Sequence, residues 1–155
     1  MNILTLAIVS LFTITTIGCS CADSCVKGLT KDNYSITITK GACFGQCPVF
    51  TGTIYGDGKV VFEGVKNVEH EGTFDGTIST EDLCALVEQV KNNGLDTFQK
   101  EFIDNVPDAP LTVISIQNGT KRNTIQWKIG TPAQVKKLLE LLMSSTLDNK
   151  SLIAR

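Results

Sequence analysis

The sequence predicts a two-layer α+β domain. An antiparallel sheet in the order ββββ-α-ββ-α carries two amphipathic helices packed on one face. Three observations predict it. Four stretches between Tyr34 and Ile78, and two between Leu111 and Ile129, alternate apolar with polar side chains. Tight-turn residues separate them, Gly56-Asp57-Gly58 and Asn118-Gly119 above all. Two other segments carry apolar residues at helical spacing.

The chain opens with an uncharged run, residues 3–17, that is almost wholly apolar or hydroxylated. It is shorter than the roughly twenty residues of a bilayer span and suits the apolar core of a secretory signal, here residues 1–18. Thr16-Ile17-Gly18-Cys19 resembles a bacterial lipobox, which implies lipidation at Cys19 and a membrane anchor there. It departs from that pattern in having Thr16 where leucine is usual and no Lys or Arg ahead of the run. Residues 19–33 then read as the anchor cysteine and a flexible tether, being small, polar and lightly charged.

The domain is expected over residues 34–146. Ser35 to Thr39 alternates and is β-branched, a first strand. Val49 to Tyr55 and Lys59 to Val65 follow as a hairpin about the Gly-Asp-Gly turn. Val68 to Ile78 alternates as a fourth strand, with Val68, His70, Gly72, Phe74, Gly76 and Ile78 toward the core and Glu69, Glu71 and Asp75 toward water. Ser79 caps a helix with Glu81 and Asp82 in its first turn. Leu83, Leu86, Val87 and Val90 form its stripe, and Asn93-Gly94 closes it.

Phe98 and Phe102 are spaced to share a face of one helical turn. Leu111–Gln117 and Thr120–Ile129 form a second hairpin. Pairing Gln117 with Thr120 puts Ile114 and Ile116 on the face of Ile125, Trp127 and Ile129. Thr131-Pro132 begins the last helix, with Val135, Leu138, Leu139 and Leu142 as its buried stripe. Residues 147–155 read as a frayed tail.

Composition narrows the function classes. The formal charge is −2 and the basic residues are scattered, so no nucleic-acid surface is expected. No nucleophile elbow, HExxH, P-loop or dinucleotide fingerprint occurs, so no catalytic residue and no cofactor is assigned. Six cysteines in a short exported chain suit an oxidising compartment.

The chemically distinctive stretch is Cys43-Phe44-Gly45-Gln46-Cys47-Pro48. A local disulfide between Cys43 and Cys47 would fasten the first strand to the second, with Gly45 relieving the tight loop. The alternative is thiol redox chemistry, or Cu(I) held by the two thiolates with His70 as a distant third ligand. Against copper, strands flank the motif where copper-assembly factors have a helix, and His70 reads as a half-buried core-side residue. Cys21 and Cys25 are expected to pair with each other or with another chain. A four-thiolate zinc site made of both Cys-x3-Cys runs fits the usual zinc spacing poorly. Cys84 reads as a small core residue, and Asp108, between Pro107 and Pro110, as a loop cap.

The run Cys43 to Phe50, the Gly56-Asp57-Gly58 hairpin, Phe62-Glu63-Gly64 and Gly72-Thr73 resemble a family of bacterial envelope domains of unknown function. Phe50 stands where tyrosine is common in that family. The resemblance implies a small domain, often behind a lipoprotein signal, and no established activity. The expectation is a non-catalytic envelope lipoprotein, anchored through Cys19, that acts as a binding or assembly module with a protein partner in the envelope.

Overall fold

The computed structural model describes residues 22–97, 100–102 and 106–155. The signal 1–18, Cys19, Cys21 and Phe98 lie outside the described residues. A single turn, α1 (Ala22–Cys25), leads into β1 (Tyr34–Lys40), β2 (Val49–Tyr55), β3 (Lys59–Lys66), β4 (Gly72–Thr77) and α2 (Thr80–Asn92). Next come β5 (Lys100–Phe102), β6 (Thr112–Asn118), β7 (Lys121–Trp127), α3 (Lys136–Thr146) and β8 (Ile153–Ala154). The sheet order is β5-β7-β6-β1-β2-β3-β4-β8. Every neighbouring pair is antiparallel except the short edge pair β5–β7. The ββββ-α-ββ-α scaffold stands as expected, with two short edge strands added.

Alternation along the strands decides the layers. Ile36, Ile38, Phe50, Ile54, Val60, Phe62, Ile114, Ile116, Ile125 and Trp127 point to one face and are buried. Leu83, Leu86, Val87 and Val90 of α2, with Leu138 and Leu142 of α3, close over them as one cluster. Each such side chain contributes on the order of 1.5–3 kcal/mol when fully buried. Ser79 caps α2, its hydroxyl accepting from the Asp82 N–H at 3.1 Å. Tyr34 is also buried, and its hydroxyl has no hydrogen-bond partner among the described residues.

The other sheet face is lined with short hydroxyls. Thr124, Ser115, Thr37, Thr53, Val61 and Asp75 follow one another across the strands as one row. Thr37 and Thr53 hydroxyls lie 3.1 Å apart, and those of Ser115 and Thr124 3.4 Å.

Six expectations about the fold are corrected. The β6–β7 hairpin closes with Asn118 opposite Lys121, so Gln117 pairs with Arg122 rather than Thr120. A slip of two residues leaves each side chain on its face; Asn123 is buried on the core face, and Ile129, beyond the end of β7, is 49% exposed. The fourth strand begins at Gly72 rather than Val68, because residues 67–70 bend. Asn67 takes a positive φ of 56°, which breaks the ladder there.

The last helix does not start at Thr131-Pro132. Pro132 is extended (ψ 137°), and a 3-10 turn, Ala133–Val135, precedes α3. Phe102 belongs to strand β5 rather than to a helical turn.

Finally, the tether and the tail both dock. Val26 and Leu29 pack on the core, and Asn33 accepts from the Thr30 N–H at 2.7 Å. At the other terminus β8 pairs with β4, and Ser151 hydrogen-bonds both the N–H and the carbonyl of Thr77 at 2.9 Å.

Candidate functional site

The cysteine run forms the corner between β1 and β2. Gly41 N–H donates to the Leu111 carbonyl at 2.8 Å, which fixes the exit from β1 to the start of β6. Cys43 and Cys47 are joined by a disulfide, with Cα atoms 5.8 Å apart. Inside the ring, Gly45 N–H donates to Cys43 Sγ at 3.3 Å. Across the corner, Asn67 Nδ2 donates to the Cys47 carbonyl at 3.1 Å. The β2–β3 ladder shifts register between Val49 and Phe50, so Val65 bulges out and is 59% exposed.

The corner is therefore held by three elements, and what it presents is Phe44. That ring is 92% exposed. A loop of about five residues closed by a disulfide is stabilised by roughly 2 kcal/mol through the restricted unfolded chain. The bond also confines the loop in the folded state.

Other predicted residues are placed elsewhere. His70 is half-buried, with its ring centroid 5.2 Å from that of Phe74. The Cu(I) set of Cys43, Cys47 and His70 is not assembled: the two sulfurs are bonded to each other. No cluster of three or more His, Cys, Asp or Glu side chains suited to a metal occurs among the described residues.

Cys25 is bonded to Cys84, 59 residues away, with Cα atoms 5.7 Å apart. This replaces the expected Cys21–Cys25 pairing and removes Cys84 from the free thiols. The reason is the docking of Val26 and Leu29, which carries α1 against α2. It also withdraws Cys25 from any four-thiolate zinc site. Of the acids expected to face water, Asp75 is held in an ion pair with Arg155 at 2.9 Å.

The two disulfides lie at opposite ends of the sheet. Thr30 and Asn33 meet Gly56 and Gly119 at the hairpin end, where Ile78 N–H bonds Gly58 and α2 begins. The cysteine corner sits a strand length away, roughly 23 Å for seven residues.

The profile of a domain of unknown function, DUF6438, matches residues 34–146. The chain belongs to the DUF6438 family. The matched span covers β1 through α3 and includes the Cys43–Cys47 corner, but neither α1 nor β8. No curated protein matches the sequence.

Proposed function

We propose that this DUF6438 protein is a non-catalytic binding module of the bacterial envelope, anchored by lipid on Cys19 and docking a protein partner through the Cys43–Cys47 loop. One observation carries the reading: Phe44 is held 92% exposed at the tip of a disulfide-closed loop. An aromatic ring in that position buries almost none of its surface in the fold. It offers a large apolar contact whose ordering cost is already met by the covalent ring. An anchor ahead of Cys25 supports the reading, because it leaves the corner at the end of the sheet farther from the membrane.

A photo-crosslinking side chain at position 44 in the full-length protein in cells tests it. A discrete adduct is expected at position 44 and not at Lys121, the exposed hairpin at the opposite end. Equal or absent adducts at both positions overturn the reading.

Thiol exchange at the same loop is the second reading, favoured by the Gly45 N–H aimed at Cys43 Sγ. Such a donor stabilises a thiolate at Cys43 and so eases reductive opening. In that case alkylation of the exported protein would trap a reduced Cys43–Cys47 fraction while Cys25–Cys84 stays closed. A pair closed throughout removes this second reading.

A further inference from the structure

A cavity of about 710 Å³ opens where the uncovered sheet face meets β8, at the hairpin end of the sheet. Its volume lies within the roughly 300–1,000 Å³ typical of small-molecule sites. Lys31, Tyr55, Lys59, Lys150, Ile153 and Arg155 line it. We propose that this cavity binds a small organic anion: an apolar or aromatic body carrying a carboxylate or a phosphate.

Charge is the first argument. The lining holds four cations, Lys31, Lys59, Lys150 and Arg155, against Asp75 in the lining and Asp57 beside Lys59, so the local side-chain charge is +2. The whole chain carries −2. A local positive sign against a negative whole concentrates anions at that spot. The cations are not equivalent. Arg155 is committed, its Nε and a terminal nitrogen each donating to Asp75 at 2.9 Å. Lys59 sits 3.6 Å from Asp57 in an exposed pair, which binds the ammonium only weakly. Lys31 lies over the Tyr55 ring at 5.4 Å. Lys150 has no ion pair among the described residues.

Apolar surface is the second argument. Ile153 is 73% exposed on an edge strand, and Tyr55 and Val61 line the same cavity. A ligand body laid there would remove that surface from water while its charged end meets Lys31, Lys59 and Lys150.

Assembly is the third. Lys31 comes from the amino-terminal segment that Cys25–Cys84 holds down. Tyr55 and Lys59 come from the β2–β3 hairpin, and Lys150, Ile153 and Arg155 from the returning tail. Lys31 and all three tail residues lie outside residues 34–146. The site thus joins residues of the matched span, Tyr55 and Lys59 among them, to residues on either side of it.

Equilibrium dialysis of the full-length protein against naphthyl phosphate, naphthoate and naphthylmethylamine tests the proposal. At least one of the two anions should bind at a single site, and the amine at least tenfold more weakly. A preference between the anions identifies the head group. Lys31→Gln with Lys150→Gln should weaken binding tenfold or more, and Ile153→Ser severalfold; all three side chains belong to exposed residues, so folding is expected to survive. Phe44→Ala should leave binding unchanged, which separates this site from the cysteine loop. Equal binding of amine and anions, no binding at millimolar probe, or an unaffected double variant overturns it.

Discussion

Gly52 of β2 faces Thr146 at the end of α3 with no room for a side chain between them. A Cβ at position 52 would meet Thr146 Cγ2 at 2.6 Å and its Cβ at 2.7 Å. Thr146 cannot turn away easily, because it is fully buried and its hydroxyl donates to the Leu142 carbonyl at 2.6 Å. Gly52→Ala must therefore push α3 off the sheet. Overpacking of this kind costs about 1–3 kcal/mol. Urea unfolding should show that loss with little change in slope, whereas Gly119→Ala would act through its positive φ and not through a clash.

The two disulfides should differ in weight. Cys25 and Cys84 are 59 positions apart, Cys43 and Cys47 only four. Loop-closure entropy gives about 4 kcal/mol for the first and about 2 kcal/mol for the second. Serine pairs at each site, compared by denaturant midpoint, should rank in that order. The opposite order would mean that the amino-terminal segment adds little to the folded domain.

Tyr34 predicts a pH dependence. Burial, with Asp96 nearby, holds its phenol above the ordinary value of 10.0. Above that value the unfolded chain loses the proton while the folded chain keeps it. Stability then falls as pH rises, at about 1.4 kcal/mol per pH unit until the folded pKa is reached. Tyr34→Phe should remove this component of the alkaline slope. An unchanged slope would show that Tyr34 is not its source.

The tail should be released through Asp75. Arg155 and Asp75 form a two-pronged pair that closes β8 onto β4. Asp75→Asn, or raised salt, should speed tryptic cleavage after Lys150 severalfold while the midpoint of global unfolding hardly moves. Equal cleavage rates would place the hold on the tail in Ser151 and Asn149 instead.

The sheet was legible because alternation is a local signal. Ile36 and Ile38, or Ile114 and Ile116, declare their face without knowledge of any partner strand. The β6–β7 register was not legible for the same reason. A two-residue slip preserves the alternation, so the pattern fits either pairing. The limits of β4 depended on the positive φ of Asn67, which the periodicity of Val68 and His70 masked. At the cysteine corner, spacing alone suggested a local bond, and its neighbours gave it a place between strands. Cys25 with Cys84 was beyond reach, since spacing does not specify the connectivity of distant cysteines. The basic cavity escaped notice because Lys31, Lys59 and Lys150 are isolated in the chain and meet only through the fold.

The Cys25–Cys84 bond also sets how the protein would bear mechanical load. A pull applied between its two ends enters at Cys25 and crosses directly to Cys84 in α2. β1 to β4 lie inside that covalent ring, off the line of force. The chain between the cysteines, which are 59 positions apart, cannot pay out as extended chain, a length of about 200 Å. While the bond is closed, only the elements after Cys84 can be peeled away. Reduction would turn a short, stiff link into one that extends several times farther.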